Sequence, residues 1–368
     1  MQRYGQIDVV FDSISEILKV NSHFVEKLFP SQILLPTLFM HFFIFSILFL
    51  LLVSCGTYQP AALDGYSNHQ IQTDQGPEDI VLDTVSLSRP RLLISCDNRR
   101  SFQASGCIQS MDLGTEKVIT LSRQNEPKGI NFHPHGIDVV NSPSGTVNLY
   151  VVNHDEAQHI QSILVYELKD SSIYFEKMLS GDLVISPNDV SATPEGKIIF
   201  GNEFHRRNAK LAAILGLKTG YFVEVQNDIA RKRERHYCYA NGSVIWNKQL
   251  LTVGTRNAFL YASPLTFDEG SKRRKITRLK GADNISVVGD KAYIACHVNL
   301  LRFLKHAKDK ANTTPTVVYE VDLPSGKKRV LYANFDGTIN GASTAIYYRG
   351  RLYLAQIFEP YILVVEAF

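Results

Sequence analysis

Much of what commonly identifies an enzyme from its sequence is missing from this chain. It has no GxxxxGK phosphate loop ending in Ser or Thr and no GxGxxG element, so neither device for nucleotide binding is present. No GxSxG elbow occurs, which leaves a serine-hydrolase reading without support. The five cysteines contain no CxxC pair, which argues against a cysteine-rich zinc site. Cys296 and His297 adjoin in a strand-like context that splays neighbouring side chains apart, so a thiol–imidazole pair is not expected there. A formal net charge of +3 over 368 residues is too small to argue for nucleic acid. Two basic clusters, at 231–236 and 271–275, are read as solvated loops. No long amphipathic helix competes for the C-terminal three hundred residues.

A strongly apolar run from Ile33 to Ser54 is long enough to cross a bilayer, which takes about 20 residues. It ends in Leu52-Val53-Ser54-Cys55-Gly56, which resembles a bacterial lipobox with Cys55 as the lipidated residue. An uncleaved membrane anchor and an ordinary cleaved signal are the competing readings. Residues 1–39 fit none of the three well, and a start at or near Met40 accounts for them. The division expected is an N-terminal extension and signal or anchor segment over 1–55, then one exported domain over 56–368. Export makes disulfides permissible. Cys96 and Cys107 bracket a loop and are spaced to pair, whereas Cys238 and Cys296 read as buried, inert thiols.

From about residue 76 a pattern recurs. A polar residue opens a short apolar run, a turn follows, and a second apolar run ends near small or polar residues. The openers are Glu78, His135, Asn188, Asn241, Asn284 and Ser343, spaced by 57, 53, 53, 43 and 59 residues. Turn signals such as Pro194-Glu195-Gly196-Lys197 stand where hairpins need them. Six units of roughly 50 residues, each with about four strands, predict a six-bladed β-propeller, all-β. In that fold the innermost strand of each blade lines a central tunnel, so the six openers converge near the axis.

The openers are not the apolar residues that would plug a tunnel. Glu78, Asn188, Asn241, Asp283 and Asn284 are hard oxygen donors, a set that suits calcium better than zinc. Asp79 and Asp189 each follow an opener; on a regular strand they face away from it, and they are placed to hold a second ion deeper in the tunnel. His135 opens a strand and His154 ends its partner, so a hairpin brings them together. A histidine beside a cation stays neutral and is available as a base. His133 reads as loop.

These stretches resemble the paraoxonase/arylesterase family of calcium-dependent lactonases. The resemblance rests on FHPHGI, LYVVNH, PNDVSATPEGKIIFGN, YANGSV, DNISV, IACH and the closing DGTINGASTAIYYRGRLYLAQIF, and it runs from about Gly76 to the C-terminus. Residues 204–236 match poorly. It implies a six-bladed propeller with two calcium ions. The catalytic ion would fall to Glu78, Asn188, Asn241, Asp283 and Asn284. The structural ion would fall to Asp79, Asp189 and the backbone carbonyl of Ile137. It further implies a histidine dyad at His135 and His154, a third histidine at His297, and an aromatic pocket wall at Tyr239. The family's disulfide between an early cysteine and one near the C-terminus has no counterpart here, so ring closure must come from strand pairing.

The expected function is hydrolysis of lactones, and of aryl esters, by a protein held at a bacterial cell envelope through lipidated Cys55 or the apolar segment 33–54, with no nucleic-acid partner. A lipid-anchored, non-catalytic binding propeller with structural calcium, and a gluconolactonase-like lactonase, are the alternatives.

Overall fold

The computed structural model describes residues 66–87, 89–101, 105–205, 215–266 and 271–366. The signal or anchor segment, Cys55 and the boundary at residue 55 lie outside them. Six antiparallel sheets, taken in chain order, form the six blades of a β-propeller. Their inner strands are Pro77–Asp83, Pro134–Asn141, Pro187–Ala192, Ala240–Trp246, Ala282–Val288 and Ala342–Tyr348. Each continues outward through hairpins to the rim. The second blade carries an additional short strand, Ser122–Gln124, parallel to its outermost one.

Apolar side chains on the middle strands pack between neighbouring sheets. Leu93, Ile108, Leu149, Val151, Leu164 and Tyr166 fill the seam between the first and second blades. Leu251, Val253, Ile294, Val317 and Val321 fill that between the fourth and fifth. Alternation along each strand sends every second residue into one seam or the other, so each blade is buried on both faces.

The ring closes without a covalent link among the described residues. Ser67–Gln72 pairs antiparallel with Tyr361–Glu366, so the sixth blade takes its outermost strand from the front of the chain. Cys96 and Cys107 sit directly opposite each other on adjacent strands, and both are free thiols in this structure. Cys238 and Cys296 are buried, and burial pushes both thiols up.

The basic run 231–236 is not a loop. It lies on the outer strand Ile229–Tyr237, whose irregular register buries Arg233, 2.6 Å from Glu224, together with Glu234 and leaves Lys232 exposed. Part of the second cluster likewise forms the strand Arg274–Arg278. Among the described residues one helix, α1 (Leu300–Lys308), leaves the fifth blade at the upper mouth. It starts where Asn299 accepts the N–H of Arg302, and its last turn carries Lys305, His306 and Lys308. Cations at that end complement the helix dipole.

Candidate active site: two tiers of oxygen donors in the tunnel

All six inner strands carry the same irregularity near their first residues. The register slips between Pro77 and Asp79, Pro134 and Ile137, Pro187 and Val190, Ala240 and Ser243, Ala282 and Ile285, and Ala342 and Ala345. A bulge leaves extra residues unpaired and re-aims their side chains. The slip leaves two consecutive residues unpaired in five blades and Glu78 alone in the first, where Asp79 pairs with Ser95, so that neighbouring residues both serve the tunnel.

The first of each pair forms an upper tier: Glu78, His135, Asn188, Asn241, Asp283 and Ser343. The second forms a lower tier: Asp79, Gly136, Asp189, Gly242, Asn284 and Thr344. All are buried except for the space they enclose. The two glycines have a packing reason. A Cβ on Gly136 would stand 2.6 Å from the Asn188 carbonyl oxygen, and one on Gly242 would stand 2.5 Å from that of Asp283.

In the upper tier Glu78 accepts from Arg99 Nε at 2.5 Å and lies 2.8 Å from His135 Nε2. Burial alone would raise its carboxyl, but Arg99 and His135 outweigh burial and hold it well below the ordinary carboxylate range. Arg99 also binds Asp97 at 2.7 Å and the Pro134 carbonyl at 2.6 Å, and Asp97 pairs with His133 at 3.0 Å. His133 precedes its strand as expected of a loop residue, yet it is buried in this network.

His135 directs Nδ1 at the Asn188 carbonyl oxygen, 2.7 Å away. Two acceptors on one imidazole fit the doubly protonated ring. The expected neutral His135 therefore requires its Nε2 to leave Glu78. The His154 ring packs edge-on against that of His135, with centroids 4.9 Å apart and planes at 88°, while its Nδ1 meets Gln161. Across the tunnel His297 Nε2 lies 2.7 Å from Asp283 Oδ2, and its ring lies 4.3 Å from that of Phe303 on α1.

The three asparagines turn their NH₂ groups toward protein. Asn188 donates to Glu203 at 2.8 Å, Asn241 to Thr255 at 2.8 Å and to Asp283, and Asn284 to Thr344 at 2.9 Å. The Oδ1 atoms of Asn241 and Asn284 are then buried with no hydrogen-bond partner. An orphaned buried carbonyl costs free energy unless something binds it. Two such oxygens beside Glu78, Asp79 and Asp283 make a donor set that fits a hard cation.

Asn284, expected with the upper set, lies at the lower tier. It hydrogen-bonds Thr344 and reaches Asp79 at 3.4 Å. Asp79 accepts the Ile137 N–H at 2.8 Å and the Thr344 hydroxyl at 2.7 Å. Asp189 accepts the N–H groups of Val190 at 2.8 Å and Ser243 at 2.7 Å. Burial pushes both carboxyls up, and the charge of Asp79 pushes Asp189 up further. Ile137 lines the cavity below them.

Tyr239 stands at the mouth in the left-handed region, φ 64°, an uncommon conformation for a bulky residue. Its ring meets Phe204 edge-on at 5.4 Å, so an aromatic wall does exist on that side. The opposite wall is Phe303 and Phe358, with Arg100 over Phe358 at 4.4 Å. Arg99, Asp97 and Asp138, absent from the sequence-based set, join the tunnel here.

The fold and its paired rings define a six-bladed propeller with a buried, oxygen-lined axial site. The chain belongs to the arylesterase family, whose model matches residues 99–363. Human serum paraoxonase/lactonase 3 is 24% identical over 246 residues, covering 62% of this chain and 67% of that protein. Bovine serum paraoxonase/arylesterase 2 is 25% identical over 307 residues, 78% of this chain and 84% of that one. Among solved structures, a gluconolactonase from Xanthomonas campestris superposes with a TM-score of 0.54 at 13% identity, covering 83% and 91% of the two chains. The calcium-binding protein regucalcin from Agrobacterium tumefaciens gives 0.54 at 11% identity, covering 84% and 98%. At those identities the two structures speak for the fold alone.

Proposed function

We propose that this protein is a calcium-dependent hydrolase of lactones, and of aryl esters, acting at the upper tier of the tunnel. The observation that carries the reading is the edge-on His135–His154 pair set against Glu78, beside the partnerless amide oxygens of Asn241 and Asn284. The names of the human and bovine relatives point to the same chemistry.

Glu78, Asn188, Asn241 and Asp283 would hold the upper ion, Asp79, Asp189 and the Ile137 carbonyl the lower one, and Asn284, placed at the lower tier, would offer its Oδ1 between them. Bound calcium would supply a Lewis acid that polarises the ester carbonyl and offsets the charge developing on its oxygen. With Glu78 engaged by an ion, His135 would give its Nε2 proton to solvent, and the freed Nε2 could then take a proton from the attacking water. His154 holds the His135 ring by edge contact, and the Asn188 carbonyl fixes its Nδ1 as the protonated nitrogen. His297 orients Asp283 and lies under Phe303. Tyr239, Phe204, Phe303 and Phe358 offer apolar walls to the acyl or aryl part of the substrate and exclude water from it. Anchoring at a cell envelope through lipidated Cys55, or through residues 33–54, completes the proposal; a Cys55→Ser variant that keeps its lipid label would sink the lipidated form.

The test is hydrolysis of short- and long-chain lactones by the full chain in detergent, with calcium, after chelation, and after calcium is restored. Activity that vanishes on chelation and returns with calcium supports the reading. No turnover at any stage, with calcium still raising the melting temperature, makes the protein a binding propeller with structural calcium.

A further inference from the structure

Below the lower tier the tunnel opens into a cavity of about 210 Å³. Its wall includes Asp79, Asp189 and Asn284, and one further carboxylate, Asp138, three residues beyond His135 on the same inner strand. We propose that Asp138 is a third carboxylate of the lower cation site, holding the ion directly or through one water and tightening its binding.

Asp138 is bound as the two lower-tier aspartates are. Its Oδ1 accepts the N–H of the next residue, Val139, at 2.9 Å, and its Oδ2 accepts Ala192 N–H of the next inner strand at 2.7 Å. Asp79 likewise accepts Ile80 and Ile137, and Asp189 accepts Val190 and Ser243. The same staple thus ties blades one to two, two to three, and three to four, and each carboxylate faces one cavity. On Asp138 and Asp189 these N–H bonds leave the second lone pair of each oxygen available, whereas Asp79 Oδ1 also accepts the Thr344 hydroxyl and keeps only its Oδ2 so placed.

No lysine, arginine or histidine is among the residues lining that cavity. Asp79 and Asp189 are buried and Asp138 is half-buried, and gathering three carboxylates there carries a desolvation cost that their N–H and hydroxyl donors offset only in part. The independent sign of a ligand is Asn284, whose Oδ1 is buried, partnerless and on the same wall. Among the described residues no three His, Cys, Asp or Glu side chains close into a ready chelate. The ion is therefore shared among carboxylate, amide and backbone oxygens and water, as calcium's six to eight ligands permit. The cavity has room for the ion and several waters. Apolar Val81, Val244 and Ile346 line the rest, so Asp138 is an exception among them.

This rests on the reading of the tunnel as a cation site, and the experiment separates the two. The full chain in detergent is stripped with chelator and titrated with calcium by calorimetry, as wild type and as Asp138→Asn, Asp138→Ser and Asp79→Asn. Both Asp138 variants should weaken the tighter class of sites at least ~10-fold, since affinity follows ligand charge, while Asp79→Asn removes it. Wild-type affinity in both Asp138 variants, with the class lost in Asp79→Asn, overturns the role of Asp138 alone. A tight class that survives Asp79→Asn, or no calcium binding at all, overturns the lower site and the proposal with it. Anomalous diffraction from terbium-soaked wild-type crystals needs no variant. A peak at ~2.3–2.6 Å from an Asp138 oxygen, or one water away, supports the proposal; a peak held by Asp79 and Asp189 alone overturns it.

Discussion

In the upper tier every carboxylate has a cationic or ionisable partner against it. Glu78 has Arg99 and His135, Asp97 has Arg99 and His133, and Asp283 has His297. In the lower tier Asp79, Asp138 and Asp189 have backbone N–H groups and hydroxyls but no basic side chain on the cavity wall. Glu78 and Asp79 are chain neighbours, and their carboxyls shift in opposite directions. The difference teaches what each tier is organised to do. The upper one has basic partners in place for its carboxylates, which suits the changing partners of the proposed catalysis. The lower one has only N–H and hydroxyl donors, which suits the proposed structural ion.

The strongest way to break this comparison is Asp283→Ala. If the upper tier holds the working ion, initial lactone hydrolysis in saturating calcium falls by at least ~10³-fold; a normal rate would remove Asp283 from the site. His135→Gln sharpens the upper tier further. It should cost ~10²–10⁴-fold in rate, the usual share of a general base, with calcium affinity unchanged by calorimetry. Equal losses in rate and affinity would instead make His135 a ligand. Arg99→Met asks how much protein cations matter without an ion. It strands Glu78 and Asp97, so urea unfolding of the chelated protein should lose ~3–5 kcal/mol, and calcium should restore part of it. No loss would mean that the two carboxylates find other partners.

The smallest effect is in pH. Asp138 is pushed up to about 7, first by burial and then by the charge of Asp79. Asp79 and Asp189 move the same way. Carboxyls that keep their protons to higher pH in the folded chain bind more protons there than when unfolded, where an aspartate titrates near ~3.9. Stability of the chelated protein therefore falls as pH rises from about 4 to about 7. Glu78 acts oppositely, adding stability above its unfolded value that is lost on acidification below it. The melting temperature of the chelated chain should thus decline between pH 5 and 7, and saturating calcium should flatten the decline. A rise over that range without metal would mean that the lower tier is already compensated.

The blade period and the polar openers were legible because each blade repeats one hairpin pattern, and hydrogen-bonding residues at strand starts stand out against apolar runs. The bulges were not legible, since no single residue type marks them. That is why alternate facing set Asp79 away from Glu78 although both side chains serve the tunnel, and why Asn284 rather than Asp283 was taken as the fifth opener. The repeat small or Pro, then polar, then Asp, Asn, Gly or Thr, as in Pro77-Glu78-Asp79 and Ala282-Asp283-Asn284, carries the correct register. Arg99 was hidden because it comes from a connection after the second strand of its blade, where sequence distance says nothing of the tunnel. Asp138 did leave a signal, a lone acid within an apolar inner strand.

The pairing of Ser67–Gln72 with Tyr361–Glu366 has a consequence for how the molecule is made and lost. The first strand among the described residues has no partner until Tyr361–Glu366 is available, so its edge stays open while the rest of the propeller is made. Such long-range closure slows folding and leaves that edge open to association with other chains. Once clasped, the ring resists stepwise fraying, because releasing either end opens the sixth blade and loosens the wall that carries Ser343 and Thr344. Persistence of the folded protein is then governed by the rate at which that clasp opens.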